Sequence, residues 1–290
     1  MTENKEINAL LHLIDDPDED VYTSVSDRIL SIGMGIIPNL EHLWENTTNL
    51  QIQERIEHII HQLHFRDLKE AFAAWKKNPA DLLEGTLLVS RYHYPEMQVL
   101  QVRQDVEKIR RNIWIELNQY LTPLEQTSVF NSILYNYYKL SGIETAYHHP
   151  EDFLVNKGIE LKKGNALCTG LIYLVLCELL DIPVKAVQIP RQFILGYMDA
   201  PDSSANDTRS PGEKIKFFID PVNGQVYSHK DIESYFKRTE TSPPADCFKP
   251  LNNIALIRLQ LEELARCFDE PANYYKLEEL KEISGMLAEP

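Results

Sequence analysis

A chain of 290 residues, 43% hydrophobic and 25% charged, is long enough to bury a large core and to divide into two domains. Its net charge of −15, from 44 acidic against 29 basic residues, argues against a broad basic face, so no nucleic-acid partner is expected. The four cysteines (Cys168, Cys177, Cys247, Cys267) are too few for a disulfide framework, and none is spaced as a CxxC zinc half-site.

Neither a secretory leader nor a membrane span is predicted. Met1-Thr2-Glu3-Asn4-Lys5 has no apolar stretch behind it, and the longest apolar run, Leu171 to Leu180, is broken by Glu178. The expected location is a reducing cytoplasm, with no cofactor and no resident metal. The first domain, residues 1–78, reads as short helices. Ile7, Leu10, Leu11 and Ile14 recur at helical spacing before Asp15-Asp16-Pro17-Asp18 breaks the chain. A second helix from about Glu19 carries Val21, Val25 and Ile29 and stops at Gly33. A third covers Ile36 to Trp44 and a fourth Ile52 to Leu63. Leu13 to Val21, with Gly33 and Ile36-Ile37-Pro38-Asn39-Leu40, resembles a HEAT-type helical repeat over about one and a half units. Glu54, His58 and His61 share a face of the fourth helix, but they lie opposite the Ile52, Ile56, Ile59 and Ile60 stripe and read as a solvated face rather than a metal site.

After a hinge at Lys76 to Ala80, the second domain spans residues 79–290: a helical part 79–145, a core 146–240 and a C-terminal helical pair 250–288. Helices are expected from Asp81, over Val99 to Tyr120 and over Leu124 to Leu140, then an irregular stretch from Ser141 to Lys163 centred on His148-His149-Pro150. Cys168 to Leu180 is apolar on nearly all sides, the mark of a central buried helix. Val184 to Ile189, Phe193 to Tyr197 and Ile215 to Ile219 read as strands, with a polar loop from Ala200 to Lys214 and a turn at Asn223-Gly224.

Lys163 to Cys168 is where chemistry is expected. A thiol at a helix start sits among unpaired N–H groups that favour the thiolate, and Gly164 and Asn165 suit a tight entry turn. Such a nucleophile needs a base from a neighbouring strand, oriented by a carboxylate, and Asp220 at the end of an apolar strand suits the last role. Two plainer readings stand beside these: Cys168 as a small buried apolar residue, and Asp220 as the start of the Asn-Gly turn.

Residues Asp81 to Gly85, Tyr147 to Leu154, Lys163-Gly164-Asn165, Pro190 to Tyr197, Ile219-Asp220-Pro221 and Lys249 to Asn253 resemble, in that order, the bacterial invasion-regulator-like branch of the transglutaminase-like superfamily. The resemblance implies an α+β, mainly helical protein. Its papain-like core would be a central helix packed on a small antiparallel sheet, between the HEAT-like N-terminal helices and two C-terminal helices. It puts the nucleophile position on Cys168, the His position on Gln192 and the Asp position on Asp220. Many members of this branch carry Ser or Thr where Cys168 stands. An amide at 192 cannot accept a proton near neutral pH, so the triad is degenerate. Gly164, Asn165, His148 and His149 are the accompanying candidates for binding, the histidines also for a replacement base. The expected function is a protein- or peptide-binding module that lacks ordinary triad catalysis. The alternative is a cysteine-dependent acyl transferase or amide hydrolase using Cys168 and Asp220 with a substitute base.

Overall fold

The computed structural model describes residues 2–199, 209–242, 244 and 247–288. The chain divides into two compact units, Met1–Phe72 and Ala73–Pro290. In the first, helices α1 (Thr2–Leu13), α2 (Glu19–Ile32), α3 (Ile37–Asn46) and the start of α4 (Leu50–Lys77) follow in order. Asp18 caps α2 by accepting from the Asp20 N–H, and Gly33 ends it at φ 85°. Ile14, Val25, Ile29, Ile36, Leu40, Ile56, Ile59 and Leu63 close around one apolar core. The predicted fourth helix is much longer than Ile52 to Leu63, because no Pro or Gly interrupts it before Asn78.

The second unit is built around α9 (Ala166–Leu179), whose residues from Leu167 to Cys177 are all buried. Helices α5 (Leu82–His93), α6 (Val99–Glu116), α7 (Pro123–Asn131) and α8 (Val155–Leu161) precede it, and α10 (His229–Arg238), α11 (Asn253–Ala265) and α12 (Tyr274–Ala288) follow. Helix α9 packs on an antiparallel sheet ordered β3 (Val184–Ile189), β4 (Gln192–Met198), β5 (Ile215–Ile219), β6 (Val226–Tyr227). The opposite sheet face, with Val187, Ile194 and Phe218, buries Ile232 and Phe236 of α10. Both faces are therefore covered, which is why these strands read as continuous apolar runs rather than alternating ones.

In the second unit three elements depart from the sequence expectation. The helix expected over Leu124 to Leu140 stops at Asn131 and continues as a π-helical turn, Ser132–Tyr137. The stretch expected to be irregular holds α8 and a short parallel pair, β1 (Ser141–Gly142) with β2 (Lys163–Gly164). Asn223-Gly224 lies in a six-residue connection rather than a two-residue hairpin, since Ile219 pairs with Val226. Of the loop expected from Ala200 to Lys214, residues 200–208 lie outside the described residues.

Candidate functional site

A cleft of about 980 Å³ opens in the second unit, between the N-terminus of α9, the tip of the β3–β4 hairpin, the turn after β5, and α11. Asn165, Ala166 and Leu167 form its floor at the helix start, and Gln192, Phe193, Asp220 and Val222 line it from the sheet side. A second hollow of about 520 Å³ lies toward α10 and shares Ile189, Gln192, Phe193 and Asp220 with the first. Gln192 and Asp220 thus stand at the waist between two hollows.

Backbone bonds fix the entry to α9. Asn165 N–H donates to the Asp152 carbonyl at 3.0 Å, and Ile143 N–H to that of Gly164 at 2.9 Å. The Asn165 side chain caps the helix, Oδ1 accepting the Cys168 N–H at 2.9 Å. The turn carrying Asp220 is held from three sides. Tyr135 of the π-helical turn donates to the Pro221 carbonyl at 2.9 Å, Asn131 Nδ2 to that of Gly224 at 2.6 Å, and Gly142 N–H to that of Val222 at 3.0 Å. Gly170 of α9 leaves room for Phe193 and Pro221, which a Cβ would strike, so strand and turn close directly onto the helix.

Cys168 does not line this cleft. It is the third residue of α9, fully buried, with its Sγ facing the Leu154 carbonyl at 3.4 Å and packed against Gly158 and Gly164. Burial, with the nearby Asp152 carboxylate, pushes its thiol up to about 12. The helix N-terminus was expected to favour the thiolate; loss of water outweighs it. Of the triad positions that the resemblance implies, Gln192 and Asp220 line the cleft and Cys168 does not; the residues of the first turn that do are Ala166 and Leu167. Gly164 serves the same packing, since a Cβ there would lie 2.7 Å from the Cys168 sulfur.

Gln192 and Asp220 are brought together at the waist, but they share no hydrogen bond among the described residues. One Asp220 oxygen accepts the Val222 N–H at 2.9 Å, the local turn that the plainer reading anticipated. His148 and His149 are exposed and lie outside the cleft, and His149 faces Glu151 at 3.7 Å. His229 is spent on the Ile215 carbonyl at 2.7 Å. No histidine lines the cleft among the described residues. Cys247 does line it, but it is 7% exposed, and burial raises its thiol as well.

Sequence reasoning missed the cleft's charged wall. Arg191, with Pro190, makes the two-residue turn between β3 and β4 at φ 62°, and it lines the cleft. From α11 come Arg258 and Glu262, paired at 3.3 Å. Beside them Arg266 stacks on Tyr147 at 4.2 Å and pairs with Glu263, which also accepts from the Tyr147 hydroxyl at 2.7 Å. Burial and the Glu263 bond raise the Tyr147 phenol to about 12, so it stays a neutral donor. The Arg and Glu residues four apart from 258 to 266 were the available signal for this wall.

The transglutaminase-like superfamily model matches residues 100–261, which include α9, the sheet and most of the cleft. The chain is similar to Protein SirB1 of Salmonella typhimurium, 23% identical over 198 residues covering 67% of this chain and 69% of that protein. It is also similar to a UPF0162 protein of Vibrio cholerae, 21% identical over 155 residues and 53% of each chain, and to the UPF0162 protein BU173 of Buchnera aphidicola, 25% over 138 residues and 46% of each. No solved structure matches. No helix among the described residues is long and apolar enough to cross a membrane. With the matched segment spanning more than half the sequence and enclosing the central helix and its sheet, the chain belongs to the transglutaminase-like superfamily.

Proposed function

We propose that this protein binds an extended peptide or protein segment in the cleft and its neighbouring hollow, without ordinary triad catalysis. One observation carries the reading: at the helix start where a nucleophile would be needed, the cleft is lined by Ala166, which has no reactive side chain, while the nearest thiol on that helix, Cys168, is sealed in the core. Gln192 supplies an amide where a base would stand, and an amide takes no proton near neutral pH. Two hollows meeting at Gln192 and Asp220 suit a linear ligand that crosses the waist and places side chains on either side. The N-terminal helices, HEAT-like in sequence, would offer a separate partner surface. The acidic composition, with 44 acidic against 29 basic residues, favours a protein or peptide partner over a nucleic acid.

The alternative, an acyl transferase or amide hydrolase using Cys168 and Asp220, requires the thiol to reach solvent as a thiolate. Alkylation of the folded protein by iodoacetamide across pH, read residue by residue by mass spectrometry, separates the two. Cys168 is expected to react at least a hundredfold more slowly than free cysteine at about pH 7. Rapid alkylation at Cys168 near about pH 6 would overturn the non-catalytic reading.

A further inference from the structure

The hollow toward α10 is built from unlike parts. Its apolar lining is Ile189, Ile194 and Ile232, all buried. Phe193, Tyr227 and Tyr235 line it as well, and the Tyr235 hydroxyl donates to the Pro190 carbonyl at 2.9 Å, tying α10 to the hairpin tip. Asp220 stands at its mouth. One oxygen of that carboxylate takes the Val222 N–H; the other reaches solvent, accepts no hydrogen bond and meets no cation among the described residues. Asp231 adds a second carboxylate, of which one oxygen accepts from the Ser228 N–H and hydroxyl at 2.7 Å each. The Tyr227 hydroxyl has no partner among the described residues, and burial with the Asp220 and Asp231 charges raises its phenol, so it stays neutral and able to accept. The single cation lining this hollow among the described residues is Arg238, exposed in the last turn of α10 and in no ion pair.

Ligand classes meet this arrangement differently. A neutral apolar side chain would cover the free Asp220 oxygen and leave a charge without water or partner. A carboxylate would face Asp220 and Asp231. A metal ion would lack ligands, since no three His, Cys, Asp or Glu side chains converge among the described residues. An apolar stem ending in a cation satisfies both halves of the hollow. We infer that this hollow is the subsite for a lysine or arginine side chain of the bound segment, its charge paired with the free oxygen of Asp220 and its stem laid on Ile189, Ile194 and Ile232. In the larger cleft Arg258 and Arg266 are already paired with Glu262 and Glu263, so neither competes for Asp220. The net charge of −15 acts in the same sense at longer range, drawing a basic partner toward the molecule. This inference rests on the binding reading above and names the side chain that the site selects.

The test uses the full-length protein labelled with ¹⁵N and ²H, followed by TROSY spectra at neutral pH and constant ionic strength. The probes are the N-acetyl, N-methylamide derivatives of lysine, arginine, norleucine (the lysine stem without its charge) and glutamate, with butylammonium as a free cation. Saturable shifts at the Tyr227, Asp231 and Ile232 amides are expected with the lysine or arginine derivative, at dissociation constants of roughly 1–50 mM. Norleucine should bind at least about fivefold more weakly, and glutamate should give no saturable shift. Asp220→Asn keeps an acceptor for the Val222 N–H but removes the charge, and should weaken the lysine derivative at least about fivefold while barely changing norleucine. Arg238→Gln, at an exposed position, should tighten the lysine derivative about twofold. Norleucine bound as tightly as lysine by the unaltered protein would overturn the cation inference without recourse to any variant, and would leave a binding cleft in place. Unchanged lysine affinity in Asp220→Asn, or no shift with either basic derivative up to about 100 mM, would overturn it as well. Butylammonium bound as tightly as the lysine derivative would put a free amine in the hollow and overturn the assignment to a bound segment. Failure of the binding reading itself shows separately, as fast alkylation of Cys168.

Discussion

At the scale of single residues, the orientation of Cys168 decides the chemistry. Successive helical residues turn by about 100°, so moving the helix start by two residues rotates a side chain by about 200°, from cleft to core. The sequence shows that a thiol opens an apolar helix but not which residue is the first in it. Asn165 fixes that by capping, leaving Ala166 first and Cys168 third. The buried thiol also makes stability depend on alkali. Its folded pKa, about 12, lies above the free value of 9.0, so the folded state holds the proton more tightly. Its contribution is fully present below about pH 9 and is lost as pH rises toward about 12. Cys177 and Tyr173, also raised by burial, act in the same direction. The urea midpoint should therefore fall between about pH 9 and pH 11, and fall less steeply in a Cys168→Ala variant measured against its own value at about pH 7. A midpoint flat across that range would contradict a sealed thiol.

At the scale of elements, the site depends on how closely α9 meets the sheet. Gly170 is the contact: a Cβ there would overlap the Phe193 ring and approach Pro221 at 3.3 Å. Gly170→Ala should destabilise the protein by about 1–3 kcal/mol, read by urea unfolding, and should perturb the Gln192 and Asp220 amide resonances together, since each immediately precedes a displaced residue, Phe193 or Pro221. Glu178, the charge that interrupts the apolar run, is explained at the same scale. One oxygen accepts the Leu82 N–H and the other accepts from Asn253, tying α5 and α11 to the central helix. Strands β3, β4 and β5 and the central helix were legible because burial on both sides writes itself as unbroken apolar runs. The β1–β2 pair, α8 and the π-helical turn were not. A two-residue parallel pairing is made by backbone alone across a separation of some twenty residues, and a single wider turn at the end of a helix is too short for its shift of the apolar period to be read.

At the scale of the whole molecule, the division between Phe72 and Ala73 leaves Trp75 in the second unit. Its ring fills the space beside Gly85, where a Cβ would come within 2.7 Å of it, and its indole N–H donates to the Asp81 carbonyl at 2.8 Å. A fragment beginning at Ala73 is expected to unfold cooperatively, whereas one beginning at Ala80 loses this buried indole and should be weaker by about 3–5 kcal/mol in chemical denaturation. Equal stability of the two fragments would show that Trp75 adds little to the core. Composition made the acidic, non-basic character of the molecule plain. The cleft's charged wall was less visible, because Arg191 is far in sequence from Arg258 and Arg266 and meets them only through the hairpin and α11 with the turn that follows it.

The place of Ala166 at the first position of the helix has a consequence for what the proposed binding cleft could acquire. Ala166 opens the helix and Gln192 opens the facing strand, both already on the cleft, with Asp220 beyond them. Two side-chain exchanges, Ala166→Cys and Gln192→His, would therefore install a thiol and an imidazole on an existing frame without disturbing the core around Cys168. The installed thiol is expected to titrate below the ordinary thiol range and to alkylate at least tenfold faster near about pH 6.5 in the double variant than in Ala166→Cys alone. On the proposed binding reading, two positions would separate this cleft from a thiol site, and the scaffold around them would be a ready host for acquired chemistry.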